Sequence, residues 1–258
     1  MTEFDAKAVA ERALPLVDLT NLNDDCTAED VTALCKRTVT DHGSVAAVCI
    51  WPRFVSHAKP LLDGSGVQIA TVVNFPGGGE DTVAVVQETR QAVADGAGEI
   101  DLVMPYRTFL SGRPGFAETQ IARVKDACGD AKLKVILESG EIEDPLLIHA
   151  ASKLAIDAGA DFIKTSTGKV KINATLKAAE IMLTVIEEHW RECHEEVGFK
   201  AAGGIRTVGE AAAYLNFADR IMGPQWACAN TFRFGASGLL DALLAAIDGG
   251  EAATGEGY

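Results

Sequence analysis

Eight short runs of strand length, separated by stretches of helical length, recur along the chain at intervals of about 20 to 35 residues. They are Ser44–Trp51, Gln68–Phe75, Glu99–Pro105, Leu133–Ser139, a run through Lys164, a run through Lys200, the short Asp219–Gly223 and Thr231–Ser237. Ser44–Trp51 is apolar at almost every position, which suits a strand covered on both faces, as parallel strands are. Alternating strands and helices imply parallel pairing through crossover connections. Eight such units in 258 residues fit a (β/α)8 (TIM) barrel of the α/β class better than a doubly wound sheet. No G-x-G-x-x-G follows the first run, so dinucleotide binding loses its main support.

The whole chain, 1–258, then reads as one barrel domain. Residues 1–43 form a helical extension, with one helix from Asp5 to about Leu16 and another from Thr27, whose hydroxyl caps a turn carrying Glu29 and Asp30. Between them Asp18-Leu19-Thr20 reads as a turn or a cap. Residues 249–258 form a mobile tail rich in glycine and acid, ending in Tyr258.

A net charge of −14 disfavours nucleic acid and anionic membranes as partners, because long-range repulsion opposes both. An anionic substrate must instead be met by local backbone donors and a few placed cations. The six cysteines show no metal-type spacing, which points to free thiols in a reducing cytoplasm. The N-terminus lacks the basic start and apolar run of a signal peptide, and no apolar stretch approaches the roughly 20 residues of a membrane span. A cytoplasmic protein is expected.

Lysine is rarely buried unless paired or functional, yet Lys164 and Lys200 both end strand-like runs. Side chains alternate across a strand, so Phe162, Lys164 and Ser166 share a face, as do Gly198, Lys200 and Ala202. Asp101 with Val103, and Cys49 with Ala47 and Trp51, take equivalent faces on other strands. In a barrel such faces meet at the C-terminal ends of the strands, where active sites lie. An ordinary lysine is a free amine in only about one molecule in 2,500 at pH 7. A second ammonium about 4 Å away, at an effective dielectric near 20, would favour proton loss by roughly 4 kcal/mol, less whatever Asp101 offsets. That suits imine formation with a carbonyl substrate. From pattern alone the alternative stands beside it: one lysine is a snorkelling or ion-paired structural residue.

Gly203-Gly204-Ile205-Arg206 and Phe234-Gly235-Ala236-Ser237-Gly238 each precede a helix, whose first amides favour an anion such as phosphate. Either could equally serve as a tight turn. Cys49 lines the pocket on this reading, or is a small core residue. The five histidines lie on loops and helices rather than at strand ends, so no metal centre is expected.

Asp18-Leu19-Thr20, Val48–Phe54, Asn74–Gly77, Glu99-Ile100-Asp101, Ala160–Gly168, Gly198-Phe199-Lys200, Ala202–Arg206 and Arg233–Ser237, in that order, resemble the class I deoxyribose-phosphate aldolases. The resemblance covers nearly the whole chain. It implies reversible cleavage of 2-deoxy-D-ribose 5-phosphate to acetaldehyde and D-glyceraldehyde 3-phosphate, without a cofactor, and serving deoxyribonucleotide catabolism. It puts the imine-forming lysine at Lys164, its partner lysine at Lys200, the aspartate proton donor and acceptor at Asp101, a supporting polar role at Asp18, and proton transfer at the imine's methyl carbon on Tyr258. It puts phosphate on Gly203, Gly204, Gly235, Ser237 and Gly238, with Thr167, Lys169 and Arg206 near the substrate, and implies a homodimer. Trp51, Ala201 and Gly238 depart from the tyrosine, proline and second serine frequent in the family; the last removes a hydroxyl from the phosphate loop. Two other readings are a different Schiff-base barrel aldolase and a sugar-phosphate-binding barrel without catalysis.

Overall fold

The computed structural model describes residues 5–250. Eight parallel strands close a barrel: β1 (Val17–Asn21), β2 (Ala47–Ile50), β3 (Gln68–Val73), β4 (Glu99–Val103), β5 (Lys132–Ile136), β6 (Phe162–Lys164), β7 (Gly198–Ala202) and β8 (Phe232–Ala236). β1 pairs with both β2 and β8, which shuts the ring. Helices join successive strands, so the chain is a (β/α)8 barrel, as the alternation implies.

Local chemistry sets the helix ends. Thr27 and Asp30 form a reciprocal capping box at the start of helix Ala28–Lys36. Helix Thr82–Asp95 stops at Gly96, whose φ of 113° is open to glycine at little cost. Asp144 caps helix Pro145–Asp157, with Pro145 at the position where a missing N–H is harmless.

Two expected boundaries are corrected. Val17–Asn21 is the first barrel strand rather than part of a helical extension, so among the described residues only helix Ala6–Ala13 and the 3-10 turn Leu14–Leu16 precede the barrel. This strand carries Asp18 into the interior, where ion pairs rather than apolar contacts bury it, and an apolar-run criterion passes over it. Asp219–Gly223, expected as a strand, ends helix Val208–Met222. Val208, Ala211, Ala212, Leu215 and Ala218 are buried at the three-to-four residue spacing of a helix. Gly223 follows with φ 98°, and Asp219 takes a two-pronged ion pair from Arg12 of helix Ala6–Ala13 at 2.7 and 2.5 Å.

The apolar core lies between strands and helices, while the barrel interior is mixed. Leu22, Ala47, Cys49, Ala70 and Val72 pack on one side of it. The Phe162 ring fills the space over Gly198, where an added Cβ would sit 2.2 Å from the ring. The remainder of the interior is charged.

Candidate active site

Seven ionisable side chains from six strands meet inside the barrel: Asp18, Glu99, Asp101, Lys134, Lys164, Lys200 and Arg233. None is more than 3% exposed. Strand register makes the meeting unavoidable: Lys164 lies beside Lys200, Lys200 beside Arg233, and Asp101 beside Lys134. Glycine at 235 admits the Lys200 chain, since a Cβ there would stand 3.0 Å from Lys200 Cε.

Asp101 is the hub. Its Oδ2 accepts hydrogen bonds from Lys164 Nζ and Lys200 Nζ, each at 2.7 Å, and its Oδ1 accepts one from Lys134 at 3.0 Å. Lys200 also stands 2.5 Å from Asp18 Oδ2, an ion pair off the line of a hydrogen bond. Arg233 spans Asp18 at 2.6 Å and Glu99 at 2.8 and 3.1 Å, and Lys134 lies 2.5 Å from Glu99. Within this cluster four cationic side chains face three carboxylates, and a fourth buried carboxylate, Glu138, acts on Lys164 from outside it.

Burial alone would raise the Asp101 carboxyl, but Lys134, Lys164 and Lys200 outweigh it and hold the group well below its ordinary value. Asp18 is likewise lowered against the pull of burial, by Lys200, Arg233 and Lys134. Lys200 and Lys134 go the other way: burial would lower them, yet Asp101 with Asp18 raises the first, and Asp101 with Glu99 raises the second. Depressed carboxylates contribute stability that is complete above their unfolded value, near 3.9, and is lost as pH falls through the folded one. Raised lysines contribute stability that is complete below about 10.4 and is lost as pH rises through their folded values. Urea denaturation at stepped pH is expected to find stability level from neutrality to about pH 5 and falling below about pH 4. Stability holding level down to pH 3 would contradict this ionisation pattern.

Of the seven groups, Lys164 alone reaches a cavity of about 430 Å3 at the C-terminal ends of the strands. Thr167, Lys169, Gly203, Gly204, Arg206, Gly235 and Ser237 line the same cavity. Gly203 and Gly204 have φ near +87° and +88°, so two consecutive residues adopt a conformation that side chains disfavour. Lys169 and Arg206 bring positive charge to the rim of a strongly acidic protein.

Residues 12–243 match the model of the DeoC/LacD family aldolases. The chain belongs to this aldolase family. It is 53% identical over 249 residues, 96% of its length and 95% of the relative's, to a protein of Agrobacterium fabrum (strain C58 / ATCC 33970) named deoxyribose-phosphate aldolase. Its fold superposes on a crystal structure from Toxoplasma gondii ME49, provisionally described as a deoxyribose-phosphate aldolase, with a TM-score of 0.87 at 25% identity, covering 95% of this chain and 96% of that one. A similarly described structure from Coccidioides immitis gives 0.79 at 30% identity, over 92% and 85% of the two chains.

Within this aldolase, Lys164, Lys200 and Asp101 come together as strand alternation implies. Asp18 joins the charge cluster through ion pairs to Lys200 and Arg233. Asp101 offsets the two ammoniums as expected, and the structure adds what was not: Asp18 also holds Lys200 charged, and Lys134 and Arg233 bring two further cations. Cys49 is fully buried and away from the cavity lining, 4.0 Å from Asp101 Oδ2; burial pushes its thiol up, so it is a poor nucleophile there. Gly238 is the residue before helix Leu239–Ile247 and is not in the lining. Tyr258 lies outside the described residues. All six cysteines are free thiols. Among the described residues, the one His-containing cluster at metal-ligand spacing, His189 with Cys193 and Glu195, is at the end of helix Leu176–Cys193 and apart from this site.

Sequence reading missed Glu99, Lys134, Arg233, Asn21 and Arg37, the last two lining the cavity. A signal existed for three of them. Lys134 interrupts an apolar strand as Lys164 does, Glu99 is two residues from Asp101 and so on its face, and Arg233 sits within a strand of aromatics. For Arg37, on a helix surface in sequence, there was none.

Proposed function

We propose that the chain reversibly cleaves 2-deoxy-D-ribose 5-phosphate to acetaldehyde and D-glyceraldehyde 3-phosphate through an imine on Lys164. The observation that carries this reading is the position of Lys164: it is the one member of the buried charge cluster that opens onto the cavity. Its Nζ is therefore the one amine of the cluster placed where a substrate carbonyl arrives, with Asp101 at 2.7 Å to exchange protons with it.

The amine attacks C1 of the open-chain aldehyde, and the carbinolamine loses water as Asp101 and Lys200 supply and remove protons. The protonated imine withdraws the electron pair of the C2–C3 bond while the C3 hydroxyl gives up its proton. Glyceraldehyde 3-phosphate leaves, and the two remaining carbons form an enamine on Lys164. Protonation of the enamine carbon, for which Tyr258 is the candidate donor, and hydrolysis release acetaldehyde and restore the amine. The phosphate is assigned to the backbone around Gly203, Gly204, Gly235, Ser237 and Gly238, with Arg206 and Lys169 beside it. Backbone amides and two local cations suit an acidic protein, whose overall field repels the substrate.

Acetaldehyde followed by borohydride is expected to leave a two-carbon adduct on Lys164 in peptide mass spectrometry; an adduct on Lys200 or Lys134 instead would overturn the assignment. No helix among the described residues is long and apolar enough to cross a membrane. A cytoplasmic location and a homodimer complete the proposal, the latter tested by sedimentation.

A further inference from the structure

Glu138 is a fully buried carboxylate that this mechanism does not use. It follows β5 in a left-handed conformation, φ 60° and ψ 55°, which a side chain adopts only when its surroundings hold it there. Its Oε1 accepts the Thr167 N–H at 3.1 Å, while its Oε2 is buried with no hydrogen-bond partner among the described residues. Flanking amides tie the same two segments together: Leu137 N–H donates to Lys164 O at 3.0 Å and Ser139 N–H to Thr165 O at 2.9 Å. Gly140 continues the contact so closely that a Cβ would fall 1.9 Å from the Ile172 carbonyl oxygen. Burial pushes the Glu138 carboxyl up, against the pull of Thr167 and of the Lys164 ammonium. The segment so held, Thr167-Gly168-Lys169, forms part of the cavity wall, and the Lys169 N–H in turn donates to Thr167 Oγ at 3.0 Å.

We infer that Glu138 is a positioning residue: by accepting the Thr167 amide it sets the loop after Lys164 against the phosphorylated sugar, and so governs substrate affinity rather than the reactivity of Lys164. The inference rests on the aldolase reading above. The hydrogen bond to Thr167, not the negative charge, is the working part. An amide at this position keeps an oxygen within reach of Thr167 and, since Oε2 has no partner among the described residues, surrenders no bond. Aspartate keeps the charge and tolerates a left-handed backbone, but is one methylene too short, and leaves the buried Thr167 N–H unpaired.

The test compares Glu138→Gln and Glu138→Asp with wild type in KM for 2-deoxy-D-ribose 5-phosphate, in borohydride trapping with acetaldehyde, and in melting temperature. Glu138→Asp is expected to raise KM roughly 10- to 100-fold while trapping at Lys164 stays within about twofold, and Glu138→Gln is expected to stay within about threefold in both. The inference fails if Glu138→Asp leaves KM within threefold, if Glu138→Gln is impaired as much as Glu138→Asp, or if trapping falls in parallel with turnover. Wild-type protein that neither cleaves the sugar phosphate nor forms an adduct defeats the aldolase reading itself, and this inference with it.

Discussion

Replacing Lys164 with methionine is expected to abolish cleavage, by at least about 10^3-fold in kcat, while leaving the fold as stable as wild type. Methionine matches the lysine stem in shape and removes the surplus positive charge. Asp101 remains paired afterwards, through Lys200 at 2.7 Å and Lys134 at 3.0 Å. Lys200→Met leaves the same number of charges but a different pattern. Asp18 Oδ2 then keeps only Lys134 at 3.9 Å, so a buried carboxylate oxygen loses its near partner, at a cost of about 1–3 kcal/mol. It also removes the ammonium that shares Asp101 Oδ2 with Lys164, so loss of activity is expected here as well. Two losses of activity, one with stability intact and one with stability reduced, would separate nucleophile from partner. Equal destabilisation by both variants in urea titrations would argue that Lys164 is a structural cation.

Arg233 gives the second large effect, because it never reaches the cavity yet sets the charge count. Arg233→Met strips hydrogen bonds from Asp18 and from both oxygens of Glu99, all buried. Breaking a buried ion pair from one side costs about 3–5 kcal/mol, which in a chain of this size lowers the melting temperature by roughly 6–20 °C. The loss of one cation also brings the cluster to neutrality with Lys164 protonated. At a separation on the order of 10 Å and an effective dielectric near 20, the acid limb of the pH–rate profile is expected to move up by roughly one unit. The double variant Arg233→Met with Asp18→Asn restores one surplus positive charge, and should return the acid limb toward its wild-type position. A profile unmoved in the single variant would show that charge count does not govern the amine. A buried ion network of this size is weak evidence for stability, because well-packed apolar residues often do as well. Its retention here fits chemistry better than folding.

Much of this was legible in the residues taken one stretch at a time. Periodicity reveals a barrel because a strand covered on both faces has to be apolar nearly throughout, and a helix on its outside has to be apolar on one stripe. Lys164, Lys200 and Asp101 stand out for the same reason: a charge inside such a strand has to be ion-paired or functional. The criterion fails where its premise fails. Val17–Asn21 buries Asp18 by ion pairing, so it does not look like a buried strand, and the end of Val208–Met222 offers a short Ile221-Met222 pair before Gly223 that resembles the end of one. Which charges neutralise which was decided by register and closure alone. Glu99 and Arg233 are 134 residues apart, and Asp18 and Arg233 are 215 apart, yet the ring of strands sets them within hydrogen-bonding distance. Chain sequence determines which side chains enter the barrel; only the closed sheet determines which charges share its interior, and which one lysine reaches the cavity.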